Sequence, residues 1–466
     1  MSSSYDAIIV GTGQAGPSLA GRLTAAGKKV EVIERGKFGG TCINTGCIPT
    51  KAMVASAHAA HIARRAADFG IQIAAEVIVN MQQVKARKDQ ISGQSRTGVE
   101  NHLKTMQNCT VYQGHARFQS PREVHVSGET LSANSIFLNV GARASIPAIP
   151  GLEQIEYLTN SSMMEVDFLP RHLVILGGSY IGLEFGHMFR RFGSRVTIVE
   201  TGPRLIARED EDISDAIRDI VEREGVDVRL NTQCVRLGKD GSDIIVSLET
   251  DGRKSELRGS HFLVAAGRRP NTDDLDLEKA GLAADDRGYI KVDDQLRTNV
   301  AGIWALGDCN GKGGFTHTSY NDFEIVAANL LDGDPRRVSD RILAYNLYID
   351  PPLGRAGMTE RDALSYSKQT GKQVLMGRRP MTKVARAVEK GETLGFMKIL
   401  VEADSGKILG AAILGTGGDE VIHSILDVMY AKCPYTVIRR AMHIHPTVSE
   451  LIPTMLGELK PLGAPA

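Results

Sequence analysis

Asp6-Ala7-Ile8-Ile9-Val10 runs into Gly11-Thr12-Gly13-Gln14-Ala15-Gly16, then into a helical stretch to about Ala26 and a second apolar run, Lys29–Glu34. Strand, glycine turn, helix and strand in this order predict a dinucleotide-binding unit. Gly11, Gly13 and Gly16 permit a tight turn and a close approach of backbone to a pyrophosphate seated on the helix N-terminus. Glu34 ends the second strand, where its carboxylate is placed to accept hydrogen bonds from a ribose. A lone glycine motif would be compatible with an ordinary turn; here strand, helix and terminal acid agree. The unit then returns as Leu173–Leu176, Gly177-Gly178-Ser179-Tyr180-Ile181-Gly182, a helix Leu183–Phe192 and a strand Arg195–Glu200. Gly177, Gly193 and Glu200 each lie 166 residues after Gly11, Gly27 and Glu34. Two copies in register imply two dinucleotides. Ser179 stands where the second glycine belongs, and is small enough to leave the close approach open.

Directly after the first unit comes Gly39-Gly40-Thr41-Cys42-Ile43-Asn44-Thr45-Gly46-Cys47-Ile48-Pro49-Thr50-Lys51, carrying two of the six cysteines. In an ideal helix the five residues from Cys42 to Cys47 rise about 7.5 Å, beyond the roughly 4.4–6.8 Å between the Cα atoms of a disulfide. A bridge needs a distorted backbone, which Asn44, Gly46 and Pro49 permit or impose. Two unrelated buried thiols are the other reading of the same residues.

The chain has 466 residues, enough for about three domains, and 42% hydrophobic residues to fill their cores. Lys plus Arg and Asp plus Glu both number 55, so no basic block recruits nucleic acid or anionic lipid, and neither partner is expected. A polar tag, Met1 to Ser4, precedes the first strand without a charged leader and cleavage site. No apolar run reaches the roughly 18 residues of a membrane span. A cytoplasmic protein is expected, in which a bridging Cys pair is catalytic or sensing rather than structural. Cys109, Cys234, Cys309 and Cys433 lack metal-ligand spacing; they are read as core or incidental, and no metal site is expected.

Between the two units the pattern predicts a helix after Lys51, a polar helix near Met81–Lys104, and short strands around Thr110–Val126 and Ile136–Val140. Asn139–Ala142 with Ile149-Pro150-Gly151 reads as an exit from the first domain, and Val264–Asn271 as a second exit. Ile303–Asp308 is a buried strand delivering an acid, followed by a helix from about Ser319 to Leu331. From about Arg341 alternating strands with a two-helix insertion begin a C-terminal domain. Gly395–Leu400 and Lys407–Leu414 are hairpin strands there, a helix spans about Asp419–Lys432, and the tail Gly463–Ala466 is expected to be loose. The resulting expectation is an α/β protein. It has two Rossmann-like dinucleotide-binding domains, 1–150 (completed by a central part at 271–340) and 151–270, and an α+β C-terminal domain (341–466).

Gly39–Lys51, the doubled glycine motif, Ala305–Asp308 and His443-Ile444-His445-Pro446-Thr447-Val448-Ser449-Glu450, in this order across essentially the whole chain, resemble the class I pyridine nucleotide-disulfide oxidoreductases. That family includes dihydrolipoamide dehydrogenase, glutathione reductase and mercuric reductase. The resemblance implies a homodimeric flavoenzyme passing electrons from NADH or NADPH through FAD to a Cys42–Cys47 disulfide and on to a small disulfide or oxidant. It places FAD on Gly11, Gly13, Gly16, Glu34, Gly40, Thr41, Lys51, Gly114, Gly141 and Asp308. The nicotinamide nucleotide falls on Gly177, Ser179, Tyr180, Ile181, Gly182, Glu200 and Gly267. It also implies that Lys51 pairs with Glu184 near the flavin, that Tyr180 covers the nicotinamide pocket, and that Cys47 faces the flavin while Cys42 attacks the substrate. His445, oriented by Glu450, then acts as acid and base at Cys42 of the other subunit. Glu200 favours NADH, since a carboxylate bonds a 2′-hydroxyl and repels a 2′-phosphate, although Arg204 and Arg208 follow closely.

For the acceptor, the tail lacks the vicinal cysteines with which mercuric reductases hand over Hg(II), and the arginine that binds glutathione in the family would fall at Gly21. Tyr348–Arg355 and Cys47–Lys51 are most similar to mercuric-reductase-like members, including reductases that answer reactive chlorine species. Mercuric reductase or dihydrolipoamide dehydrogenase activity stays open. So does another class, a flavoprotein redox sensor reduced once without turnover. A transhydrogenase or quinone reductase would not need Cys42 and Cys47.

Overall fold

A computed structural model describes residues 3–463. Met1 and Ser2, and the tail beyond Gly463, lie outside the described residues. The expected polar tag is corrected: the first strand already begins at Ser3.

The first unit builds a seven-stranded sheet. Ser3–Val10 lies parallel between Val30–Glu34 and Glu129–Leu138. Cys109–Gln113 extends the sheet beyond Val30–Glu34, and Ile303–Ala305 returns from late in the chain to pair with Glu129–Leu138. The central strands are buried on both faces, Ile8 and Ile9 completely, as a continuous apolar run in a parallel sheet requires. The second unit is a five-stranded parallel sheet, ordered Asp227–Arg229, Arg195–Val199, His172–Leu176, His261–Val264, Tyr157–Leu158, joined to a three-stranded antiparallel meander over 232–259. The two segments read as exits meet: Ala142–Ala144 pairs antiparallel with Arg268–Pro270. From Ala344 onward a six-stranded antiparallel sheet forms, with Phe396–Glu402 and Ile408–Leu414 as adjacent antiparallel strands.

Three expected boundaries shift for local reasons. The redox helix runs Cys47–Arg64, starting at the second cysteine rather than after Lys51, because Pro49 sits in the first turn, where a missing N–H costs nothing. The Tyr180 helix, Tyr180–Phe192, takes in the last residues of the second glycine turn. The C-terminal helix expected over about Asp419–Lys432 runs Gly418–Tyr430, the two-helix insertion is Glu360–Thr370 and Ala385–Glu389, and two short helices beyond these three, Thr436–Arg440 and Leu451–Gly457, follow. No helix among the described residues is long and apolar enough to cross a membrane.

The second unit is tied to the six-stranded sheet by buried charge. Arg355, 1% exposed, pairs with Glu209 at 2.8 Å and Asp210 at 2.7 Å, and buried Lys398 pairs with Asp210 at 3.0 Å and Asp212 at 2.7 Å. Glu360 completes an acidic group with Asp210 and Asp212, and the Lys398 ammonium occupies it.

Glu31, on the second strand of the first unit, is fully buried, and neither of its oxygens has a hydrogen-bond partner among the described residues. Burial raises its pKa to about 8. In the unfolded chain a Glu ionises near about 4.3, so between these values the native state holds the extra proton and stability falls as pH rises. Replacing Glu31 by Gln should flatten this loss: chemical denaturation of Glu31→Gln at about pH 5 and about pH 8 should differ less than in the wild type.

Candidate active site

Both glycine turns are built by the same steric constraint. A Cβ on Gly16 would enter the carbonyl oxygen of Gly11, and one on Gly182 that of Gly177. Both helices therefore start directly against the ends of their strands. The acids repeat the geometry at the level of single bonds. Glu34 accepts from Thr12 N (3.0 Å) and Gly36 N (2.8 Å), and Glu200 from Gly178 N (2.7 Å) and Gly202 N (2.8 Å).

The exchange of Gly13 for Ser179 has a local cause. Asn139 is the hub of the first turn: its Oδ1 accepts from Gly16 N (3.2 Å) and its Nδ2 donates to Leu306 O (3.0 Å). A Cβ on Gly13 would stand 2.7 Å from that Oδ1. In the second unit the carbonyl facing the first glycine is that of Ala265, whose methyl group replaces the amide that Asn139 holds against Gly13.

A cavity of about 1100 Å³ opens over the first turn. It is lined by Gly11, Gly13, Glu34, Gly40, Thr41, Gly114, Gly141 and Asp308, and beyond them by Cys42, Cys47, Lys51, Tyr180, Ile181 and Glu184. Gly16 supports this wall from behind. Asp308 is raised by burial and held 3.3 Å from Arg268. A second cavity carries Ser179 and Gly267, with Arg208, and it shares Tyr180, Ile181, Arg268 and Asp308 with the first. Tyr180 stands in the wall between the two, leaning on Phe315 at 5.6 Å between ring centroids. Gly177, Gly182 and Glu200 shape the second turn without lining either cavity.

The cysteine stretch breaks where its sequence permits. A short helix, Gly40–Asn44, ends at Thr45, and Gly46 takes φ −131° and ψ −121° in contact with Thr41, whose carbonyl oxygen would lie 2.9 Å from a Cβ there. Asn44 Nδ2 donates to Phe38 O (2.8 Å) and Gly40 O (2.9 Å), fixing the turn. Cys47 thus opens the redox helix, where the dipole favours a thiolate. Its Sγ lies 3.1 Å from Thr316 Oγ1. A hydrogen bond from Cys42, helped by Thr316 and Lys51 against burial, brings the Cys47 thiol down to about 6. The same bond and burial push Cys42 far up. All six thiols are free in this structure.

Lys51 Nζ reaches both oxygens of Glu184, at 2.7 and 2.9 Å. Burial lowers the Lys51 pKa, but the Glu184 charge and hydrogen bonds more than offset it, leaving it raised. The redox helix and the Tyr180 helix meet again seven residues, about two turns, further on. There His58 Nδ1 lies 2.6 Å from Asp350, which also binds Arg191.

His445 Nδ1 lies 2.9 and 3.0 Å from the two oxygens of Glu450, but the imidazole is 74% exposed and the pair does not line the cavity that holds the cysteines. Thr316, Phe315, Asn139, Arg268 and Tyr348 were not singled out as site residues in the sequence. They come from segments far apart in the chain; Asn139 and Arg268 lie in the two exit stretches and Tyr348 in Tyr348–Arg355, none of which was read as part of the site.

The family model for pyridine nucleotide-disulphide oxidoreductases matches residues 5–322, and that for the dimerisation domain of the same proteins matches 343–456. This chain is a pyridine nucleotide-disulfide oxidoreductase. Among the relatives of this oxidoreductase is the probable pyridine nucleotide-disulfide oxidoreductase RclA of Escherichia coli K12, 35% identical over 98% of this chain and 99% of that one. Others are a mercuric reductase of Streptomyces lividans, 33% identical over 96% and 94%, and a dihydrolipoyl dehydrogenase of Haloferax volcanii, 32% identical over 96% and 94%. The solved structure of the HOCl-induced flavoprotein disulfide reductase RclA superposes with a TM-score of 0.88 at 34% identity, covering 97% of this chain and 99% of that one. The oxidoreductase is an FAD-dependent, NAD(P)H-using disulfide reductase carrying the family's dimerisation domain.

The first cavity fits FAD by its own chemistry, with bare glycine backbone at a helix N-terminus for a pyrophosphate and acids at both ends for hydroxyls. Gly13→Ala should therefore crowd Asn139, cost about 1–3 kcal/mol by overpacking, and lower the flavin-to-protein absorbance ratio of the purified enzyme. Ser179→Ala should change stability by less than about 0.5 kcal/mol and leave that ratio intact.

Proposed function

We propose that Cys42 and Cys47 form the redox disulfide of this enzyme, with Cys47 on the flavin side and Cys42 exchanging with substrate. The observation that carries this division is the inequality of the two thiols, Cys47 brought down beside Thr316 and Lys51 and Cys42 pushed up. After reduction the negative charge rests on Cys47, while Cys42 keeps its proton until a base removes it. Glu34 and Asp308 hold the sugar and ribitol hydroxyls of FAD, Gly11, Gly13 and Gly16 its pyrophosphate, and Gly40, Thr41, Gly114 and Gly141 the rest of its bed. Residues 1–150 and 271–340 form the FAD-binding unit, 151–270 the NAD(P)-binding unit and 341–466 the dimerisation unit. Gly177, Ser179, Ile181, Gly182, Glu200 and Gly267 receive the nicotinamide nucleotide, and Tyr180 swings from Phe315 to admit it. When bound, FAD supplies the two-electron transfer between nicotinamide and disulfide that side chains cannot perform.

Substrate turnover is then thiol chemistry. His445 takes the Cys42 proton at Nε2, since Nδ1 is committed to Glu450, and the Cys42 thiolate attacks one sulfur of the substrate disulfide. His445 returns the proton to the departing sulfur. The Cys47 thiolate attacks the Cys42 sulfur of the mixed disulfide, re-forming Cys42–Cys47, and the second substrate sulfur leaves as a thiolate that takes its proton from solvent. His445 is exposed and outside its own chain's cysteine cavity, which supports its service to Cys42 of the partner. The likeness to an HOCl-induced reductase, also solved as a Cu(II) complex, favours a small oxidant or metal ion over a lipoyl protein as terminal acceptor. A panel of lipoamide, oxidised glutathione, small oxidants, Hg(II) and Cu(II) ranks the acceptors.

The test is complementation. His445→Ala should slow disulfide turnover by about 10²–10⁴ while flavin reduction by nucleotide stays nearly intact. Mixed heterodimers of inactive Cys42→Ser and inactive His445→Ala chains should regain up to half the wild-type activity, one of two sites being whole. No recovery in a verified heterodimer places His445 in its own chain's site or in none.

NADH should exceed NADPH in kcat/KM. The Glu200 carboxylate stands at the strand end on Gly178 N and Gly202 N, Arg204 is drawn to Glu211 at 3.0 Å, and Arg208 lines the second cavity beside Tyr180. Equal or reversed values in steady-state assays would overturn this preference.

A further inference from the structure

We infer that Tyr348 is a positioning residue that clamps the Lys51–Glu184 pair beside Cys47, its ring seating the ammonium and its backbone amide holding the carboxylate. The inference rests on the proposed reading of Lys51 as the cation that serves Cys47.

Lys51 follows Cys47 by four residues on the redox helix, so the two side chains share one face. An ammonium has three N–H donors. Two distances to Glu184, 2.7 and 2.9 Å, account for its hydrogen bonds on one side. On another, Lys51 Nζ lies 4.4 Å from the centroid of the Tyr348 ring, within the range of a cation–π contact. Tyr348 N also donates to Glu184 Oε1 at 3.1 Å. One residue from a third segment of the chain therefore touches both members of an ion pair made by two helices. The ring is itself held: Asn346 Nδ2 donates to the Tyr348 hydroxyl at 3.2 Å.

Packing does not explain the ring. Leu347 and Ile349 on either side are 1% and 2% exposed and supply the core contacts, whereas Tyr348 alternates to the other face, is half-buried and lines the cavity with Cys47 and Lys51. Without the ring, Lys51 has one fewer constraint against turning to water, and the positive charge that favours the Cys47 thiolate weakens.

The test uses the reduced holoenzyme and follows the pH dependence of its long-wavelength thiolate absorbance, a readout separate from turnover. Tyr348→Leu, with Tyr348→Met as a second apolar replacement, should raise the midpoint by about half a pH unit to one unit, the equivalent of a partly desolvated cation–π contact. Tyr348→Phe keeps the π face and the amide and should leave the midpoint in place. Lys51→Met should raise it at least as far, and adding Tyr348→Leu to Lys51→Met should move it no further, because the clamp then has no cation to hold. An unmoved midpoint in Lys51→Met refutes the reading of Lys51 itself. A midpoint that moves in Lys51→Met but not in Tyr348→Leu or Tyr348→Met, or that moves additively in the double variant, refutes the role of Tyr348.

Discussion

There is no room for a side chain between Gly11 and the carbonyl of Asn139, or between Gly177 and that of Ala265. This close approach of turn to neighbouring strand sets the starting point of both nucleotide helices, and the rest of the site is laid out from it. In the first unit Asn139 does more than limit space. By bonding Gly16 and Leu306 at once it joins the helix N-terminus to the end of the late strand Ile303–Ala305, which brings Asp308 to the cavity that the first turn opens. The second unit lacks this side chain and, with it, the need for a glycine at 179.

The electrostatics of the cysteine site depend on that scaffold. A thiol at a helix start, a hydroxyl at 3.1 Å and a lysine one turn below all favour negative charge on Cys47. Lys51 is itself held by Glu184 from the other nucleotide unit. The redox helix and the Tyr180 helix are therefore joined by the ion pair that stands beside Cys47. His445 is absent from this wall: it is paired with Glu450 and exposed, as the proposed service to the partner subunit requires.

Holding three sheets in one arrangement costs desolvation. Arg355 and Lys398 are buried with Glu209, Asp210 and Asp212, a type of network that gives little net stability over an apolar packing but costs about 3–5 kcal/mol when one partner is removed. Its effect is to specify how the second unit sits on the C-terminal sheet, and hence where Tyr345 and Tyr348 stand relative to the Tyr180 helix.

Local residue chemistry was sufficient for the two glycine turns, their terminal acids, the 166-residue repeat and the cysteine stretch, because each is a run of neighbours whose backbone demands are written in residue type. Resemblance added the pairing of Lys51 with Glu184 and of His445 with Glu450, and the structure places both pairs in contact. What no reading of neighbours could supply was the company these residues keep. Thr316 beside Cys47, Asn139 over Gly13, Phe315 against Tyr180 and Tyr348 under Lys51 are contacts between segments separated by well over a hundred residues. They exist only once strand order and helix docking are decided, since burial and side-chain proximity are properties of the packed whole. The start of the redox helix at Cys47 was misplaced for a related reason: Pro49 looks like a break in isolation and is harmless in a first turn.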